Sequence, residues 1–315
     1  MLIHAILLAL APVFFVLLIG YGAGRFGVVD NSRVDSLNAL VMDFALPASL
    51  FVATASASRT ETLAQAPLFA ILGAVMLLIY FVWYGLARHL LKVSAADASL
   101  QALTIAFPNL AGVGLPIVAT VLGPQGTVPI AVALAAGSIL VSPLTLIMVE
   151  MTAGSGAAGT STARRVLRAL RRALTKPVVA APALGILFSL SALNLGPVIE
   201  ACLMLIGHAA AGVALFLTGL ILSAQAFRLD RKVIGATVMA DIVRPLLAVA
   251  FVLALPVAPE TAKVAILLAA VPSGFFGILF AVNYRLDSAA VGSMVIASTV
   301  FSIATLAVAI AVLFP

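Results

Sequence analysis

Charge is what this chain has least of. Only 9% of its 315 residues are Asp, Glu, Lys or Arg, against roughly 25% in an ordinary soluble domain. So few ionic groups do not cover a water-facing globule, which excludes a cytosolic enzyme and a disordered chain. Cysteine is nearly absent too. Cys202 stands alone in an apolar run, so neither an intramolecular disulfide nor a multi-cysteine metal site forms, and a secreted disulfide scaffold is excluded. The usual catalytic patterns are missing. There is no His-Glu-x-x-His, no Asp-rich prenyl-phosphate motif and no Gly-x-Gly-Asp, because Gly112-Val113-Gly114 runs into Leu115. Gly154-Ser155-Gly156 falls in a linker and not on a membrane helix, which argues against an intramembrane serine protease. No phosphate-binding loop is present, so ATP-driven work requires another subunit. The sequence reads as a non-enzyme without a cofactor.

What is present is apolar: 64% of the residues. A spanning helix takes ~20 such residues, while the strands of a membrane barrel alternate polar and apolar, which these runs do not. The runs give ten candidate spans, at 3–23, 34–56, 64–88, 98–121, 127–150, 177–195, 197–224, 232–255, 261–282 and 288–313. The first lacks a basic leader, and Arg25 follows it, so it reads as a retained span and not as a signal peptide. Of the 17 basic residues, fourteen fall in loops after odd-numbered spans. Only Arg59 and Lys263 fall after even-numbered ones, and Arg244 lies inside a span. Lysine and arginine collect on the cytoplasmic side. The split therefore predicts odd loops inside, both termini on the extracytoplasmic side, and the cell (inner) membrane as the location. The net charge of +6 reports this topology and not nucleic-acid binding.

Residues 151–176 form the one long connection. Thr152 to Thr162 is rich in Gly, Ala, Ser and Thr, whereas Arg164 to Lys176 sets arginines among Val166, Leu167, Leu170 and Leu174 at helical spacing. That spacing predicts a basic amphipathic helix drawn to anionic membrane lipid. The linker divides the chain into a five-span half at 1–150 and another at 177–315. Five is odd, so the second half starts on the opposite side from the first, which is the arrangement of an inverted repeat. Matching signals follow. The fourth span carries Phe107-Pro108-Asn109-Leu110-Ala111-Gly112-Val113-Gly114, and the ninth carries Val271-Pro272-Ser273-Gly274-Phe275-Phe276-Gly277. The fifth has Ser138, Ser142 and Thr145, and the tenth has Ser298, Ser302 and Thr305 at the same spacing. Proline removes a donor and clashes with the carbonyl four residues back. Two such clusters at matched positions point to discontinuous helices that hold a site near the membrane centre, where freed amides suit an anion and freed carbonyls a cation.

Ionisable groups inside spans are functional candidates by default. Asp43 has no cation three or four residues away and reads as a buried carboxylate that carries a proton or ligates Na⁺. His208 is a candidate because imidazole is the side-chain type whose ordinary charge change falls nearest physiological pH. Asp241 and Arg244 are three residues apart on one helical face, so they are expected either to pair with each other or to work on substrate. In the second case Arg244 contacts an anionic group and Asp241 holds or releases it, because a guanidinium grips a carboxylate bidentately.

The chain resembles the auxin efflux carrier family, and within it the bacterial malonate-transporter-like members. The resemblance rests on Leu37 to Phe51 (Leu-Asn-Ala-Leu-Val-Met-Asp-Phe-Ala-Leu-Pro-Ala-Ser-Leu-Phe), on Asn109 to Pro116, and on Pro272 through Tyr284. It implies an all-α integral membrane protein with ten transmembrane helices as two inverted five-helix repeats. Spans four and nine would be broken and would cross. Spans 1, 2, 6 and 7 would form a scaffold, and spans 3–5 and 8–10 a moving domain. It further implies a homodimer and elevator-type transport of a small organic anion, with H⁺ or Na⁺ as the coupling ion. Substrate contacts are implied at Pro108, Asn109 and Gly112, and at Pro272, Ser273 and the adjoining Gly274. The second crossing carries serine where an asparagine would make the halves symmetric, and the short linker departs from the long hydrophilic loop of the plant auxin carriers. Two other readings compete: a sodium-coupled carrier of larger amphipathic anions, resembling the bile-acid symporters, and a membrane sensor without transport.

Overall fold

The computed structural model of the chain describes residues 2–30, 34–152, 167–168, 171, 174–191, 193, 195–284 and 286–314. Its regular structure is helical. Helix α1 spans Leu2–Arg25, α2 Val34–Ala39, α3 Leu46–Ser56, α4 Arg59–Leu63 and α5 Ala66–His89. Next come α6 at Ala95–Ala106, α7 at Leu115–Leu122, α8 at Thr127–Ala136 and α9 at Ser142–Thr152. Beyond the linker are α10 at Pro177–Leu190, α11 at Pro197–Gly207, α12 at Ala209–Ser223, α13 at Arg231–Val238, α14 at Arg244–Ala254, α15 at Pro259–Ala270, α16 at Phe276–Asn283 and α17 at Ala289–Leu313. Seven continuous stretches among the described residues are long and apolar enough to cross a membrane, and the protein is a multi-pass membrane protein. The other three expected spans are shorter pieces for visible reasons. The sixth is the 14-residue α10. The fourth and ninth are each cut in the middle, into α6 and α7 and into α15 and α16. Most of the expected linker helix falls outside the described residues. Leu167, Arg168, Arg171 and Leu174 are helical and exposed.

Four helices contain a wide, π-type turn, at Leu40–Ala45, Leu110–Gly114, Gly137–Val141 and Met239–Val243. Each ends two residues before a proline, at Pro47, Pro116, Pro143 and Pro245. The cause is local. A proline ring pushes away the carbonyl four residues back and leaves it without its donor, and widening the preceding turn by one residue relieves the clash.

Apolar side chains gain little by leaving lipid for protein, so membrane helices associate through close packing of small residues and polar contacts. Glycine supplies the closest approaches. A Cβ on Gly219 of α12 would stand 2.0 Å from the Leu17 carbonyl oxygen of α1, and one on Gly20 of α1 would stand 2.0 Å from that of Phe216. A Cβ on Gly185 of α10 would meet Thr54 Oγ1 of α3 at 2.0 Å. Elsewhere Tyr80 Oη of α5 pairs with Ser99 Oγ of α6 at 2.6 Å, and Thr145 of α9 donates to the same Tyr80 oxygen at 3.4 Å. The tight contacts thus tie α1 to α12 and α3 to α10, while a buried polar chain ties α5, α6 and α9.

Candidate functional site

The two broken spans meet at their breaks. Pro108 and Ser273 form an isolated antiparallel bridge. Asn109 N donates to Pro272 O at 2.8 Å, and Gly274 N donates to the carbonyls of Thr104 (3.1 Å) and Phe107 (3.0 Å). Extended backbone in a membrane needs such partners, because an unsatisfied amide or carbonyl there costs several kcal/mol. Gly274 is required by the crossing, since a Cβ there would stand 2.3 Å from the Phe107 carbonyl oxygen.

Asn109 starts the helical segment that follows the first break. Its Oδ1 accepts from Gly112 N at 3.0 Å, which caps the wide turn, and its Nδ2 donates to Thr218 Oγ1 of α12 at 3.4 Å. Gly112 lies against both groups, 2.7 Å from a built Cβ to Asn109 Oδ1 and to Thr218 Oγ1. The crossing is closed in this conformation, with Asn109, Thr218 and Ser273 all buried. On the other side, Ser273 N donates to Ser298 Oγ at 2.8 Å, and Ser298 Oγ donates to Asp241 Oδ1 at 2.8 Å. Ser273 Oγ, Asp241 Oδ2 and Thr104 Oγ1 are buried without hydrogen-bond partners. These are the polar atoms that a bound ion or substrate would satisfy.

The expected pairing of Asp241 with Arg244 gives way to a different arrangement. Among the described residues no direct ion-pair contact joins them, although both sit in the same buried region. Arg244 is fully buried, and its guanidinium faces main chain: Nε donates to Ala269 O at 2.9 Å, Nη1 to Ile105 O and Nη2 to Val271 O. The physical reason lies in the breaks. They strand carbonyls at the ends of α6 and α15, and a planar fork of five donors reaches several at once.

Asp43 also differs from the buried, isolated carboxylate expected of it. It is exposed on the wall of a cavity of about 420 Å³ at the basic-loop end of the helices. Asp35, Asn38, Gln225, Phe280 and Lys176 line the same cavity. The cavity thus opens onto a carboxylate that the sequence places inside a span. The Lys176 ammonium lies 5.4 Å from the Phe280 ring centroid. Desolvation there lowers its pKa, and the Asp43 carboxylate opposes that shift. A second cavity, of about 590 Å³, opens at the opposite end and is lined by Ser49, Gln65, Thr127 and three carboxylates, Glu61, Glu200 and Glu260. His208 is exposed at the junction of α11 and α12 and lines neither cavity. Of the residues singled out in the sequence, the structure brings Pro108, Asn109, Gly112, Pro272, Ser273, Gly274, Asp241 and Arg244 into one region. Thr218, Ser298 and Thr104 join them without having been expected there. Ser298 stands out in the sequence only as part of a repeat, and Thr218 carries no signal in its apolar run.

The sequence model of a family described as membrane transport protein matches residues 5–310. An uncharacterized transporter of Escherichia coli strain K12, YfdV, is 28% identical over 279 residues, which cover 88% of this chain and 87% of that protein. An uncharacterized transporter of Methanothermobacter thermautotrophicus is 25% identical over 300 residues, covering 93% of this chain and 94% of its own length.

Proposed function

Because the chain belongs to the membrane transport protein family, that of the auxin efflux carriers it resembles, we propose that it is a secondary active transporter of a small organic anion. Malonate or another dicarboxylate is the substrate, and the mechanism is elevator-type alternating access. The observation that carries this reading is the antiparallel bridge between Pro108 and Ser273 at the two helix breaks. An antiparallel crossing is what a two-fold axis in the membrane plane generates, and it supports ten spans arranged as inverted halves at 1–150 and 177–315. The segments that leave the crossing, Leu110–Leu122 and Phe276–Asn283, both start there. Their N-terminal ends each contribute roughly half a positive charge, which favours a carboxylate beside Asn109, Gly112, Ser273 and Gly274.

The packing supports two bodies. Glycine contacts lock α1 to α12 and α3 to α10, and this set corresponds to spans 1, 2, 6 and 7. The crossing belongs to the other body and touches the first through Asn109 and Thr218. Each of the two cavities is lined by both bodies, at opposite ends of the molecule, as alternating access requires. The basic loops belong inside, so the cavity with Lys176 faces the cytoplasm and the one with three glutamates faces out. Asp43, Asp241 and His208 are the groups through which H⁺ or Na⁺ would couple, and the working unit is a homodimer.

The test is uptake of labelled malonate into proteoliposomes, with H⁺ and Na⁺ gradients imposed separately. Uptake that rises with one gradient and is competed by unlabelled malonate is expected. Folded protein that neither accumulates nor binds malonate or another small dicarboxylate would overturn the substrate class.

A further inference from the structure

We propose that the Arg244 guanidinium is a resident cation for the carbonyls exposed by the two helix breaks, so that the crossing needs no Na⁺ to hold its shape. The inference rests on the transporter reading above and deepens it. The carbonyls can be followed one by one. At the end of α6, Leu103 O accepts from Phe107 N, Thr104 O from Gly274 N and Ile105 O from Arg244 Nη1. At the end of α15, Ala269 O accepts from Arg244 Nε, Val271 O from Arg244 Nη2 and Pro272 O from Asn109 N. Three of these six acceptors depend on one side chain.

Those acceptors also carry charge. A half-helix end concentrates roughly half a negative charge on its free carbonyls, and here two such ends face one another in a region shut off from water. Broken helices in transporters commonly meet this with a bound Na⁺ coordinated by the unwound carbonyls. In this chain the place is already filled by a covalently attached monovalent cation that has none of its surface exposed. The countercharge is Asp241, one helical turn before it, held through Ser298. The groups facing Asp241 from the packed elements are neutral: Ser298 on α17 and, through it, Ser273 of the crossing, which leaves Arg244 as the charged neighbour. With its three nitrogens committed to main chain, Arg244 acts on an anion as a positioning residue. It holds both half-helices together and adds positive potential behind Asn109 and Ser273.

The experiment is thermal unfolding of the purified full-length protein by circular dichroism, in NaCl, in choline chloride and in choline chloride with methylguanidinium. For the unsubstituted protein the same midpoint is expected in all three, and a rise specific to Na⁺ would overturn the proposal. Arg244→Ala is expected to melt lower and to recover part of the loss in Na⁺ or methylguanidinium, with no matching recovery in choline. An Arg244→Ala protein indifferent to all three media would overturn it. Should that variant not fold, Arg244→Lys and Arg244→Gln decide: Lys folding where Gln does not supports a required charge, and equal behaviour refutes it. Melting reads the cation site whether or not malonate is the cargo. Lost uptake with these melting results intact therefore counts against the substrate reading alone.

Discussion

At the scale of single residues, Asn109 does two things at once. Its carboxamide caps the wide turn through Gly112 N, and it is the polar group that spans from the crossing to Thr218. Losing a cap of this kind costs about 1 kcal/mol, which a folded membrane protein tolerates. Losing the polar group at the crossing is expected to matter far more. Asn109→Ala should fold yet take up malonate at least about tenfold more slowly, equivalent to ~1.4 kcal/mol. Asn109→Asp should be worse, because it sets a negative charge against the anion. Uptake at the unsubstituted rate for both would remove Asn109 from the site. Gly112→Ala makes the complementary point. Its Cβ would stand 2.7 Å from both Asn109 Oδ1 and Thr218 Oγ1, so uptake should fall while thermal stability drops only slightly. Asn109 is legible in the sequence because a carboxamide between a proline and glycines, inside an apolar run, is costly in lipid unless it serves a break. The partners of Arg244 are not legible. They are main-chain carbonyls 25, 27 and 139 residues away, and a carbonyl is the same in every residue.

At the scale of helices, proline and glycine carry most of the information, and they carry it unequally. The two interruptions are visible as clusters, because Pro108 and Pro272 stand mid-run with glycines close behind. The four wide turns are not visible in this way, although each precedes a proline by a constant offset. A single proline in a span predicts a kink equally well, and the register of the extra residue depends on what packs around it. The glycines of α1 and α12 are the clearer case of a tertiary cause. A Cβ at Gly219 would stand 2.0 Å from Leu17 O, whereas one at Gly85 of α5 would meet nothing within 4 Å. Overpacking of this kind costs ~1–3 kcal/mol. Gly219→Ala should therefore lower the melting temperature in detergent, and Gly85→Ala should leave it unchanged or raise it slightly, since alanine is the better helix former. Equal midpoints would mean that α1 and α12 separate at no cost, and the rigid-scaffold reading would lose its main support.

At the scale of the whole molecule, the count of basic residues is the strongest signal in the sequence, and it concerns sidedness, which the helices by themselves do not fix. It says nothing of the cavities, because a cavity is a gap between elements distant in sequence. The one with Lys176 brings together α2 and the wide turn after it, α10, α12 and α16, and the one with three glutamates brings together α3, α4, α5, α7, α8, α11 and α15. Two cavities at opposite ends, separated by a closed crossing, allow sidedness and alternating access to be tested together. Ala57 lines the cavity with three glutamates and Ala224 the cavity with Lys176. With Cys202 first replaced by serine, Ala57→Cys should react with a membrane-impermeant maleimide only from outside intact cells, and Ala224→Cys only in inverted vesicles. If one carrier domain moves between the two ends, a saturating anion should shift the two labelling rates in opposite directions, because space opened at one end closes at the other. Labelling of both positions from the same side would overturn the topology. Rates that respond to substrate in parallel, or not at all, would leave the topology standing and remove the elevator.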